Sequence, residues 1–227
     1  MTALFGEPLF YIYLIYGLSF IVMASLIIGG IKRATSLTLV SSFSMLAAFG
    51  ITHGIAEMVD WVRFIEQKLG QPASAGLLYA SQIFMMLSFA LLLQFGINVL
   101  SYKSSHRKSL RAIPVVLVVA FLTAVYFLGI SDISQAGLIA RRSFGFAGSA
   151  LSAIMLFRLS NTMRPLGNEK LNLALIVAAA SLAVYAICGG LIVTPLFGLP
   201  IQVFRAVCAF VIAVASASIL DIFKVNP

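Results

Sequence analysis

The chain has 227 residues, 61% of them hydrophobic and only 10% charged, with a formal net charge of +8. A soluble domain carries about a quarter charged residues and has no core large enough to hide this much apolar surface; a bilayer hides it readily. The basic residues lie between apolar runs rather than on one patch, which points to topogenic loops and anionic lipid headgroups and away from nucleic acid.

Apolar runs long enough to cross a bilayer, about 20 residues each, are predicted at 9–31, 36–62, 76–101, 112–130, 135–160, 171–193 and 200–222. The flank before the first run, Met1 to Pro8, has no Lys or Arg, and the run is too long for a signal-peptide core, so it is expected to remain as helix one. Lys32-Arg33 closes that run, and Gly70-Gln71-Pro72 separates the second from the third. The polar stretch Ser101 to Arg111, then Asn161 to Lys170 with Pro165 and Gly167, then Thr194 to Pro200 with two prolines, mark later connections. The fifth run contains Arg141 and Arg142. Gly145, Gly148 and Ser152 on it, and Ala206, Ala209, Ala213 and Ala217 on the seventh, form small-residue stripes that let membrane helices approach closely. The expected fold is all-α: one transmembrane domain, a bundle of seven helices over 1–227 with no second domain.

Basic residues divide unevenly between the two sides. The connections after runs one, three and five and the C-terminal end hold Lys32, Arg33, Lys103, Arg107, Lys108, Arg111, Arg164, Lys170 and Lys224, with Arg158 at an edge, whereas the opposite connections hold only Arg63 and Lys68. The positive-inside rule therefore puts the N-terminus outside and the C-terminus in the cytoplasm, with Tyr11, Trp61, Tyr79 and Phe197 near the outer interface. Cys188 and Cys208 lie within apolar runs at no metal-ligand spacing and read as buried free thiols, with a disulfide as the alternative.

An ionisable side chain at mid-bilayer costs on the order of 2.5–3.5 kcal/mol on insertion scales, so each one present needs a partner or a task. Helix two carries His53, Glu57 and Asp60 at i, i+4 and i+7, on one face. Helix three adds Gln82, helix five Arg141 and Arg142, and helix seven Gln202 and Arg205 just after Pro200. At about 1.5 Å per residue, His53 lies about 12 Å inward from Trp61, Arg142 about 10 Å inward from the start of its helix and Arg205 about 8 Å below Pro200, so the groups share the outer half of the bundle. Two readings stay open: an ion-pair network with Glu57 or Asp60 neutralised by Arg205 or Arg142, or a pocket open to the outside whose arginines receive an anionic or polar group.

Other chemistries find little support in these residues. No metal site is predicted; haem b at His53 is a minor alternative, and the second histidine, His106, falls in a basic loop on the other side, which excludes a bis-histidine site. A retinal Schiff base needs a mid-membrane lysine, and all six lysines fall in loops or at the last helix end. Neither a Walker loop nor a nucleophile elbow nor a zinc-binding His pair occurs, so the chain is not expected to be an enzyme by itself.

Three stretches carry a resemblance: Tyr11 to Phe20 (YIYLIYGLSF), Ala47 to Asp60 (AAFGITHGIAEMVD) and Leu199 to Cys208 (LPIQVFRAVC). Together they resemble the seven-helix N-terminal membrane module of bacterial sensors that continues into PAS, histidine-kinase or diguanylate-cyclase domains. In that family a His-Gly-x-x-Glu-Trp-x-Asp pattern closes helix two, matched here by His53, Gly54, Glu57 and Asp60 with Met58 in place of Trp; a Pro-x-Gln-x-x-Arg pattern opens helix seven, matched by Pro200, Gln202 and Arg205. The resemblance implies a sensory module of the bacterial inner membrane, working through a cytoplasmic signalling domain or partner subunit and able to form a homodimer. Ending at Pro227, the chain departs from sensors that continue into a signalling helix, and is expected to be either an excised input module or a stand-alone relative. Two other classes remain: a haem- or quinone-associated accessory subunit of an electron-transfer complex, and a small transporter. Against the latter, no helix shows a paired Gly/Pro interruption and no inverted repeat is found.

Overall fold

A computed structural model describes residues 7–34, 38–72, 74–101, 107–130 and 132–223. His106, Lys103 and Lys224, used above for ligation and orientation, lie outside the described residues, as does Pro227.

Seven helices are long and apolar enough to cross a membrane, and the chain is a multi-pass membrane protein. They are α1 (Pro8–Arg33), α2 (Thr38–Lys68), α3 (Ala75–Leu100), α4 (Arg107–Phe127), α5 (Ile133–Leu166), α6 (Glu169–Leu191) and α7 (Ile201–Ile222). Two of them change pitch: α5 is π-helical over Arg141–Gly145 and α6 over Ala186–Leu191, where the chain ends its helix. These π-helical segments pack against each other.

Packing closes a ring in the order α1, α2, α3, α5, α6, α7 and back to α1. Helix α4 stands outside it, mainly against α3, with the Phe121 ring reaching Phe144 of α5. Apolar side chains dominate the half of the ring nearer the α1–α2 connection, among them Met23, Phe43, Leu46, Phe95, Leu156 and Ile212, with Asn98 and buried serines such as Ser42, Ser160 and Ser216 between them. The opposite half, nearer the α2–α3 and α6–α7 connections, holds the buried polar residues described below.

Helix α2 extends past position 62 to Lys68, beyond its expected span, because its last turns are tied down. Asp60 pairs with Arg63 at 2.8 Å, the Phe64 ring stacks on Tyr13, Trp61 donates from Nε1 to the Phe10 carbonyl at 3.0 Å, and Lys68 meets Glu7 at 2.7 Å. The α6–α7 connection is a tight turn: Leu196 and Leu199 exchange backbone hydrogen bonds, and Phe197 and Gly198 between them adopt φ of 51° and 76°. Two positive φ values in sequence define the kind of reversal that holds the end of α6 beside the start of α7.

Glycine sets how close α1 and α2 come. A Cβ on Gly54 would stand 3.0 Å from the Gly17 carbonyl oxygen and 2.7 Å from the Ile21 side chain, and one on Gly50 would stand 2.8 Å from the Phe20 carbonyl oxygen. Without a hydrophobic effect between helices in lipid, such backbone contact is where van der Waals packing comes from. On α5, Gly148 presses similarly on the α3 backbone at Leu93, and Ser152 donates to the Leu92 carbonyl at 3.1 Å. Ala209 and Ala213 of the α7 stripe are fully buried. Overpacking costs about 1–3 kcal/mol: Gly54→Leu is expected to destabilise by that order, read as a lowered thermal midpoint in detergent, while Gly29→Ala, whose nearest outside atom would lie 4.0 Å away, leaves the midpoint unchanged.

Candidate functional site

His53 sits one turn inward from Glu57 on α2 and is fully buried. Its Nδ1 lies 3.0 Å from Ser88 Oγ of α3, and Ser88 donates its own proton to the Met85 carbonyl at 2.6 Å. With that proton committed, Ser88 accepts from the ring, which fixes a hydrogen on Nδ1. Nε2 faces two phenols, Tyr16 of α1 at 3.1 Å and Tyr185 of α6 at 2.9 Å. One imidazole thus joins four helices. The close approach permitted by Gly17 and Gly54 brings Tyr16 within reach, and Gly189, against which a Cβ would meet the Tyr185 ring at 2.9 Å, makes room for the second phenol.

Glu57 is 3% exposed. Its Oε1 lies 3.6 Å from His53 Nε2 and has no hydrogen-bond partner among the described residues. Arg205, 4% exposed, does not pair with it; its guanidinium donates from Nε to the Cys188 carbonyl at 2.7 Å and from Nη2 to the Ile192 carbonyl at 2.8 Å. Arg141 donates to the Gly189 carbonyl at 3.2 Å, contacts Met85 Sδ and lies over the Phe89 ring. The last carbonyls of a helix have no intrahelical donor and carry its negative end, so two cations there satisfy both hydrogen bonding and dipole. Both guanidiniums still act on Glu57 through space.

The structure sorts the other sequence candidates. Asp60 pairs with Arg63 nearer the surface, not with Arg205 or Arg142. Gln202 donates to the Tyr13 hydroxyl at 3.1 Å, above Glu57. Arg142 is exposed and takes no part: successive helical residues point about 100° apart, so only one of the Arg141-Arg142 pair can face inward, and it is Arg141. Gln82 packs against Gly137 of α5, away from His53. None of the expected ion pairs, Glu57 or Asp60 with Arg205 or Arg142, forms. Cys188 and Cys208 are both free and buried.

Tyr16, Tyr185 and Ser88 were not singled out in the sequence. Tyr185 did leave a trace, as a lone phenol in an otherwise apolar helix that needs a partner for its hydroxyl; Ser88 left none. Haem does not fit at His53: both ring nitrogens are engaged, and Phe20, Phe49 and Phe89 pack around the imidazole with ring centroids 4.4, 5.2 and 5.5 Å away. Those three rings also separate the polar residues from the apolar half of the ring. Comparison with models of known protein families, with curated proteins and with solved structures gives no match.

Charge-assisted hydrogen bonds contribute about 1.5–3 kcal/mol each, so Arg205→Met, which strands two carbonyls, is expected to destabilise by about 3 kcal/mol or more. Arg142→Met should stay within about 0.5 kcal/mol of the parent. Thermal unfolding of the two variants in one detergent distinguishes them, and similar midpoints would remove Arg205 as the clamp on α6.

Proposed function

We propose that this chain is a transmembrane sensory module of the bacterial inner membrane, with the His53–Glu57 cluster as its switch. The observation that carries the reading is the buried Glu57 oxygen without a hydrogen-bond partner, set beside an imidazole that bonds α2 to α1, α3 and α6. A buried acceptor left unsatisfied costs about 1–3 kcal/mol, which favours whatever satisfies it. Its neighbourhood is suited to relaying such a change: π-helical segments are frequent at functional sites, and two of them meet beside the cluster. An altered hydrogen bond at Tyr185 acts directly on the α6 end that Arg205 clamps to α7, and α7 would carry the shift to a cytoplasmic signalling domain or partner subunit, in a homodimer if the receptor pairs. The resemblance of the His-Gly-x-x-Glu and Pro-x-Gln-x-x-Arg stretches to bacterial sensor modules points the same way.

Closure of the cluster towards the α1–α2 end by Phe20, Phe49 and Phe89 favours a receptor over a carrier, which must expose its site to each side in turn. The imbalance of Lys and Arg orients the cluster to the outside. Two experiments test the proposal. In a chimaera with a diguanylate-cyclase reporter, Glu57→Gln or Arg205→Gln should lock or abolish output at normal membrane levels; unchanged output from both would end the sensory reading. For orientation, Gln71→Cys, at an exposed position, should react with a membrane-impermeant maleimide on intact cells, and Leu166→Cys, 71% exposed, should not. The reverse pattern would put the cluster on the cytoplasmic side.

A further inference from the structure

We propose that His53 and Glu57 form a single one-proton site, and that the signal this module reads is the proton itself. As the identity of the signal, the inference rests on the sensory reading above; as a statement about the two side chains it rests on their geometry.

Ser88 fixes a hydrogen on Nδ1 whatever the charge of the ring, so any change of protonation is confined to Nε2 and its surroundings. With the ring neutral, Nε2 offers one lone pair, yet two phenol hydroxyls lie within hydrogen-bond distance of it, and only one can donate to it at a time. In the same state Glu57 Oε1, also a bare acceptor, faces Nε2 at 3.6 Å with no hydrogen between them. One added proton removes both mismatches when it sits on Nε2: an N–H replaces the contested lone pair, so the phenols stop donating to it and can accept, and a hydrogen now lies on the ring nitrogen that faces Glu57. On Oε1 it gives a carboxylic acid that can donate to Nε2, which fills the one lone pair and displaces both phenols from it. Either way the pair holds one proton, and Nε2 ceases to accept from the hydroxyls on α1 and α6 as it arrives.

The other charged and titratable groups around the pair are Tyr13 and Tyr16 on α1, Asp60 on α2, Arg141 on α5, Tyr185 and Cys188 on α6 and Arg205 on α7. The two arginines are committed to backbone carbonyls and Asp60 to Arg63, which leaves Glu57 and His53 as the groups with an unfilled acceptor between them. Between Glu57 and the α2–α3 end stand Asp60, Tyr13 and Gln202, polar side chains past which a proton can arrive; on the other side stand the three phenylalanines. No bond other than those to hydrogen changes, and the proton comes from and returns to bulk solvent.

The chain contains only two histidines, so in a His106→Gln background 15N-labelled histidine reports His53 alone. The experiment uses this full chain in lipid nanodiscs, titrated with pH, and reads the imidazole by NMR and the Glu57 carboxyl band by infrared difference spectroscopy, assigned by its disappearance in Glu57→Gln. Imidazole and carboxyl signals are expected to change in one common step. In Glu57→Gln that imidazole step should be lost or displaced by about one pH unit or more, a tenfold change in proton affinity and the mark of interacting sites. Asp60→Asn should leave it in place. An imidazole that titrates at the same pH in Glu57→Gln, separate steps for the two groups, or no step at either one overturns the one-proton site. Should Glu57→Gln fail to fold by thermal melting, Glu57→Asp assigns the carboxyl band by its displacement, and the common step in the parent and its retention in Asp60→Asn decide the matter. Reporter output that depends on Glu57 without the paired titration overturns the proton while sparing the sensory reading. A paired titration with output indifferent to Glu57→Gln does the opposite.

Discussion

The carbonyl oxygens of Cys188, Gly189 and Ile192 end a helix inside a bundle that water does not reach freely, and side chains must satisfy them. Arg205 and Arg141 do so. Several features follow from that clamp. It holds the end of α6 where Tyr185 reaches His53, it joins α6 to both α5 and α7, and it keeps two guanidiniums near Glu57 without bonding to it. An arginine spent on backbone carbonyls supplies positive potential without a proton-transfer partner, so the carboxylate is steadied while its Oε1 still lacks a hydrogen bond.

Much of this architecture was legible because the bilayer imposes it. Apolar length located the helices, and the i, i+4, i+7 spacing put His53, Glu57 and Asp60 on one face of α2. Failures came where partner choice depends on detail that periodicity does not carry. Ending the second span at 62 made Arg63 a loop residue and left Asp60 without its i, i+3 partner; the helix continues, and the pair forms locally. Choosing between Arg141 and Arg142 requires the pitch of α5, which turns π-helical at that point. Pairing the arginines with carboxylates was one of two open readings, because opposite charges are the obvious match, but a helix C-terminus carries partial negative charge too. The expected end of α6 at 193 lies close to Leu191, yet nothing in the sequence announced that its last carbonyls would turn inward. Tyr16 and Ser88 sit in runs of similar residues and become distinctive only when the backbone contact at Gly17 and Gly54 fixes which faces meet.

Helix α4 contributes little to any of this. The ring closes without it, α1 lies directly against α7, and the polar cluster draws on α1, α2, α3, α5, α6 and α7. The first and last helices are therefore neighbours, and a shift of α7 would be felt directly by the helix that carries Tyr16. Coupling of this kind needs no long relay, since the elements that would move and the elements that form the cluster are the same.

The phenylalanine layer beneath His53 has an energetic meaning for the cell as well as a structural one. A charge that changes in one half of a membrane protein is dangerous if a hydrated path continues beyond it, because the same path would short-circuit the proton-motive force. Three aromatic rings and the largely apolar core behind them would serve as an insulating plug. The proton switch proposed above would respond to one compartment while remaining electrically isolated from the other.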